Sequence, residues 1–292
     1  MPAPFTRVAV VGTGLIGGSF ALAARAHMPG AHLVGWDKPE VLKRACARGV
    51  VDEGYGELRD ALTGADLVYI ALPVGLTIEK LTEIARHAAP GALVTDAAST
   101  KRAVCAAAGK AFSSFSAGEA RFLGGHPMAG KEDSGVESAE ATLFHGAQYV
   151  LIGAASDSDS DSCVARFLEL LKAIGARPVW MDAETHDRAA AVVSHLPQLV
   201  AVALAGVVHE ATDQTGLPLT LAGRGLRDAL RLAGSPYGVW RDIVLTNADH
   251  LEAGLDRLAQ AIDDLRRHLR GRQLEEEFAA ANEVYKILRD LQ

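Results

Sequence analysis

Cysteine is scarce in this sequence, with three among 292 residues (Cys46, Cys105 and Cys163) and no CxxC spacing. A scattered, odd set supports neither a disulfide framework nor a zinc site, so buried reduced thiols are expected and no metal. No run of five Lys or Arg occurs and the net charge is −7, which argues against a surface that tracks nucleic-acid phosphates. Long apolar runs are missing too. The nearest, Ala189 to Val208, is interrupted by Ser194, His195, Pro197 and Gln198, so a buried core helix is expected there rather than a membrane span. Residues Met1 to Arg7 run directly into an apolar segment without a secretory signal pattern, and a cytoplasmic location is expected. What remains is 49% apolar and 22% charged, the balance of a globular protein able to bury a sizeable core.

Up to about residue 181, short β-branched runs alternate with helical segments. Val8–Val11, His32–Trp36, Leu67–Leu72, Ala92–Thr95, Arg121–Gly124, Gln148–Ile152 and Pro178–Met181 read as buried strands. Helices are expected between them, for example Gly17–Ala26, Thr77–His87, Lys101–Ala108 and Cys163–Ile174. Such alternation predicts a parallel sheet covered on both faces. The Ser–Asp alternation of Ser156–Ser162 predicts a solvated loop, with Asp161 or Ser162 capping the next helix. After Asp182 the strand-like runs stop, and Asp187–Glu210, Leu219–Ala233, Val239–Asn247 and Ala248–Leu291 carry apolar residues at helical spacing. The expectation is an α/β domain over 1–181 and an all-helical domain over 182–292. So small a helical domain gains core by packing on a second copy, which predicts a homodimer.

The first apolar run leads into Gly12-Thr13-Gly14-Leu15-Ile16-Gly17 and then a helix. A glycine pattern alone is weak, but a strand before, a helix after and an acid ending the second strand give it the context of a Rossmann-type dinucleotide site. Gly12 permits the tight turn, Gly14 admits a pyrophosphate and Gly17 lets the helix sit close to the strand. Asp37, ending the second strand, suits the ribose hydroxyls of NAD and repels the extra phosphate of NADP, although Lys38 beside it softens that preference. The strand ending at Leu72-Pro73 and the one ending at Asp96-Ala97-Ala98-Ser99 aim their carboxyl ends at the same crevice. Position alone allows Ser99 to be no more than a helix cap.

Several motifs, in order along nearly the whole chain, resemble those of the prephenate dehydrogenase family. They are Gly12–Ser19, Asp96–Lys101, Gly124-Gly125-His126-Pro127-Met128-Ala129-Gly130, Ser134-Gly135, Leu143-Phe144, His186-Asp187-Arg188 and Ser194-His195-Leu196-Pro197. Gly225-Leu226-Arg227-Asp228, Arg231, Ser235 and Trp240–Ile243 complete the set. The resemblance implies oxidative decarboxylation of prephenate to 4-hydroxyphenylpyruvate with NAD, or of arogenate to tyrosine in close relatives.

His126 lies between glycines and a proline just past a predicted strand end, and an imidazole suits general-base duty near neutral pH. The resemblance implies that Ser99 orients it. Arg227 and Arg231, four apart, are expected to share a helix face, with Asp228 steadying one of them. A guanidinium grips a carboxylate through two bonds, and the resemblance makes Arg231 the anchor. Gly225, His186 and His195 are further expected substrate contacts. Where relatives often carry a second histidine this chain has Gln198, which touches the end where prephenate and arogenate differ. Two rivals stand beside this reading. A hydroxyacid dehydrogenase would use a lysine base in the helical domain, but no lysine occurs between Lys172 and Lys286. The other is a non-catalytic NAD-binding protein.

Overall fold

The computed structural model describes residues 4–113, 119–131, 133–154 and 162–290. The Ser–Asp tract and its expected cap fall outside those residues, except that Ser162 begins a helix. By packing, the chain forms one compact unit up to Asn247 and a second from Ala248 onward.

Six parallel strands build the main sheet of the first unit: β1 (Arg7–Val11), β2 (His32–Trp36), β3 (Glu53–Tyr55), β4 (Leu67–Ile70), β5 (Leu93–Asp96) and β6 (Arg121–Leu123). Their order is β3-β2-β1-β4-β5-β6. The order reverses between β1 and β4, and that is where a crevice opens beyond the carboxyl ends of such a sheet. Both faces are buried, as the two-residue period requires. Val8, Val10, Leu67 and Tyr69 join a core on one face, with Phe20 and Phe167, while Ala9, Val11, Val68 and Ile70 join one on the other, with Leu81 and Ile84. The helices that cover the sheet include α1 (Leu15–His27), α2 (Pro39–Ala47), α3 (Leu58–Leu62), α4 (Val74–His87), α5 (Arg102–Ala111) and α6 (Ser162–Ala173).

The expected single parallel sheet is corrected in its last strands. Gln148–Ile152 (β8) and Arg177–Met181 (β9) pair with each other and with a short strand β7 (Gly125–Pro127) in a separate three-stranded sheet, in which β7 is antiparallel. The chain leaves the main sheet at Gly124 and starts the second at Gly125. A Cβ on Gly125 would lie 2.7 Å from the Asp96 carbonyl oxygen, so only glycine lets the two sheets approach here. Strand β3 was not expected: Glu-Gly-Tyr carries no β-branched run. The thiol expectation also needs correction, since Cys163 is buried but Cys105 is only half-buried and Cys46 is exposed.

Beyond β9, Asp182 accepts a hydrogen bond from the Thr185 backbone N–H (2.8 Å) and caps α7 (Ala183–Ala190). A π turn over Ala191–His195 joins it to α8 (Leu196–Ala211). Pro197 has no N–H with which to close an α turn onto residue 193, and the wide turn lies where that bond is lost. Then follow α9 (Arg224–Leu230), a 3-10 turn (Arg231–Gly234) and α10 (Tyr237–Thr246). The Gly75 N–H of α4 donates to Asp242 (3.0 Å) and fixes α10 against the sheet domain. Only 22% of the most apolar stretch of Ala183–Ala211 is buried in the single chain. The second unit is a helix pair, α11 (Ala248–His268) and α12 (Gln273–Asp290), interrupted near residues 269–272.

Candidate active site

The glycine turn has the shape a pyrophosphate needs. Gly12 has φ +95°, and a Cβ there would lie 2.5 Å from the Ala71 carbonyl oxygen; on Gly17 it would lie 1.9 Å from that of Gly12. A Cβ on Gly14 would meet nothing within 4 Å, so that position faces open space at the start of α1. Asp37 accepts from the Thr13 N–H (2.7 Å) and from the Lys38 N–H (2.7 Å) through different oxygens. The Thr13 hydroxyl donates a longer bond to Asp37 (3.3 Å), and since a carboxylate offers about four lone-pair positions, one acceptor position remains for a ribose hydroxyl. These residues fit a dinucleotide. A cavity of about 440 Å³ continues from the turn, lined by Gly14, Leu15, Ile16, Leu72, Pro73 and Ser99 among others.

Ser99 also lines a second cavity, of about 380 Å³, with His126, Ser194, His195 and Trp240. A third, of about 460 Å³, is lined by Lys131, Gln198, Arg231 and Trp240, and shares Gly130 and Ser235 with the second. A cleft therefore runs from the glycine turn past the imidazole of His126 to the guanidinium of Arg231.

His126 is held from behind. Its Nδ1 lies 2.8 Å from His186 Nε2, and His186 Nδ1 lies 2.7 Å from Asp187 Oδ1. Asp187 also accepts the backbone N–H groups of Lys101 (2.6 Å) and Arg102 (2.9 Å), and so caps α5 from a distant element. Burial opposes ionisation of Asp187, but the bonds from His186, Arg102 and Lys101 outweigh it and hold the carboxyl below its usual range. An ionised carboxylate only accepts, so His186 Nδ1 carries hydrogen and His186 Nε2 accepts from His126 Nδ1–H. The tautomer that follows leaves His126 Nε2 bare. Burial, reinforced by His186, the Lys101 cation and His195, pushes the His126 pKa well below its ordinary value and keeps that nitrogen unprotonated at neutral pH.

His195 has the opposite polarity. Asn247 Nδ2 donates to the Asp187 carbonyl (2.8 Å) and meets His195 Nδ1 at 3.2 Å, so the hydrogen of His195 sits on Nε2. Burial lowers its pKa to about 4, opposed in part by Asp187, and the ring is neutral. His195 packs edge-on to Trp240, and neither His195 Nε2 nor Trp240 Nε1 has a partner among the described residues.

Several expected placements change. Ser99 is not the cap of α5; Lys101 holds that position. Arg227 and Arg231 do not share one α-helix, because α9 stops at Leu230 and Arg231 opens the 3-10 turn. Arg227, Asp228 and Gly225 are exposed and line none of the three cavities. His186 stands behind His126 instead of facing the cleft. Gln198 donates to the Leu232 carbonyl (2.9 Å), bracing the turn that carries Arg231. Sequence reasoning gave no role to Asn247 or Trp240. Asn247 carries no local signal for one, while Trp240 was visible only as part of a motif.

A dinucleotide cradle joined to a cleft with a bare imidazole and a guanidinium defines an NAD-dependent dehydrogenase. Residues 20–179 match the family model described as prephenate dehydrogenase, nucleotide-binding domain, and residues 182–283 the one described as prephenate dehydrogenase, dimerization domain. The chain is 36% identical over 265 residues to a prephenate dehydrogenase of Bacillus subtilis, covering 90% of this chain and 70% of that one. Its fold is similar to that of a prephenate dehydrogenase from A. aeolicus in complex with hydroxyphenyl propionate and NAD+, with TM-score 0.85, 28% identity and 99% of each chain covered. A Synechocystis arogenate dehydrogenase matches with TM-score 0.76 and 29% identity over 98% of this chain and all of that one (100%). The chain belongs to the prephenate dehydrogenase family and is an NAD-dependent oxidoreductase.

Proposed function

We propose that this enzyme converts prephenate to 4-hydroxyphenylpyruvate and carbon dioxide. The cleft that joins the glycine turn, His126 and Arg231 is the observation that carries the reading. NAD, when bound, accepts the hydride from the carbinol carbon. His126 Nε2 holds the proton of the ring hydroxyl while that hydride leaves. The bond to the ring carboxylate breaks, its electron pair completes the aromatic ring, and the proton returns to the phenolic oxygen. Asp187, through His186, stabilises the imidazolium formed in passing. Ser99, at the junction of the cofactor and imidazole cavities, orients the reacting groups. Arg231 grips the side-chain carboxylate, and His195 with Trp240 holds buried, neutral N–H groups in the wall beside the ring carboxylate. A neutral wall suits a carboxylate that must depart, because a cation there would stabilise the ground state more than the transition state.

A second reading, arogenate as substrate, has one observation in its favour. Gln198 commits its amide nitrogen to Leu232, and its carbonyl oxygen is an acceptor suited to an ammonium group. NADH formation measured with prephenate and arogenate, each with NAD and NADP, decides between them. Turnover of prephenate with NAD is expected; turnover of arogenate alone replaces the first reading with the second, and turnover of neither removes both.

The division of labour is read as changing at Asp182, with 182–292 completing the substrate site and forming a homodimer. Val193, Val202 and Val207 expose 66%, 49% and 64% of their surface on an apolar helix, and a second copy would turn it into a core helix. A cytoplasmic location agrees with this use of the apolar face. Light scattering should give twice the chain mass.

A further inference from the structure

Two full charges lie buried beside strand β7, which carries His126: Asp96 and Lys101 are each 0% exposed and form an ion pair. Such a pair adds little stability over apolar side chains of similar volume, so its presence asks for another reason. The geometry supplies one. Asp96 Oδ1 accepts the Gly125 N–H (3.0 Å) and Oδ2 the Ala98 N–H (2.9 Å), while Lys101 Nζ donates to the Gly125 carbonyl (2.6 Å). The pair thus takes both peptide groups of the residue immediately before His126. Lys101 acts a second time through its backbone N–H, which donates to Asp187 at 2.6 Å, and Asp187 leads through His186 to the imidazole.

We propose that the Lys101 side chain, paired with Asp96, positions His126 by fixing its backbone through Gly125, and so keeps its ring in register with His186. The proposal rests on His126 being the group that takes the hydroxyl proton. Lys101 lines none of the three cavities. Its loss should therefore appear in kcat and in the imidazole tautomer, with substrate KM little changed.

The full chain is tested with NAD and prephenate. Lys101→Met keeps side-chain length but strands the Asp96 carboxylate, so it loses stability. The double variant Asp96→Asn/Lys101→Met removes both charges and keeps an acceptor for Gly125, so it is the variant that decides. In 15N-histidine NMR spectra, wild-type His126 should be a single neutral tautomer with hydrogen on Nδ1, and the double variant a mixture. With NAD affinity within about threefold of wild type, kcat should fall about 10- to 100-fold, since displacement of a reacting group by about 1 Å costs that order. A double variant with the wild-type tautomer and kcat within about twofold overturns the proposal even if its Tm has fallen, because the pair then serves stability alone. Wild-type protein inert toward both substrates would refute the proposed function, while the NMR comparison would still decide the role of Lys101.

Discussion

His195 offers a test of the site's electrostatics that needs no substrate. The ring is 1% exposed, and burial lowers its pKa from 6.5 to about 4. Above pH 6.5 the ring is neutral both folded and unfolded and contributes nothing. Below 6.5 the unfolded chain takes up a proton that the folded chain refuses until about pH 4, so stability is lost as the pH falls through that window. At roughly 1.4 kcal/mol per pH unit, the loss is about 2 kcal/mol by about pH 5 and about 3 kcal/mol by about pH 4. Other buried groups, His126 among them, act in the same direction, so the informative quantity is a difference between proteins. Urea unfolding of wild type and His195→Gln at about pH 7.5 and about pH 5 isolates it. The variant should lose about 2 kcal/mol less than wild type over that interval. Equal losses would mean that His195 is not a buried neutral ring.

Two substitutions separate alignment of the base from grip on the substrate. His186→Leu removes the acceptor for His126 Nδ1–H; kcat should fall about 10- to 100-fold with substrate KM near wild type, and a rise in KM alone would contradict the tautomer argument. Arg231→Ala should raise substrate KM by about 10- to 100-fold, the worth of a charge-assisted bidentate contact, and leave NAD affinity unchanged in a fluorescence titration; an unchanged KM would remove Arg231 as the anchor.

The part of the molecule legible in the sequence is what depends on local pattern. Glycine spacing, an acid at the end of β2 and β-branched runs of four or five residues mark the cofactor half, because a parallel sheet buried on both faces needs continuous apolar strands. The second sheet was hidden. Gly125–Pro127 is too short and too rich in glycine and proline to read as a strand, and nothing in Gln148–Ile152 says which sheet it joins. Arg227 and Arg231 show the limit of spacing arguments: a change from α to 3-10 geometry after Leu230 moves one arginine relative to the other. The contacts that hold His126 lie beyond any local reading, since Asp187 reaches Lys101 across 86 residues and Asn247 reaches His195 across 52.

His126 acting through Nε2 is the claim on which the chemistry depends, and kcat/KM for prephenate as a function of pH, in wild type and His126→Asn, tests it most directly. Wild type should hold its activity down through pH 6.5, with the acid limb well below that value because burial depresses the imidazole pKa. His126→Asn should bind NAD normally, lose about 10²- to 10⁴-fold in rate and lose the acid limb. A variant that keeps nearly full activity, or the same acid limb, would show that another group takes the proton.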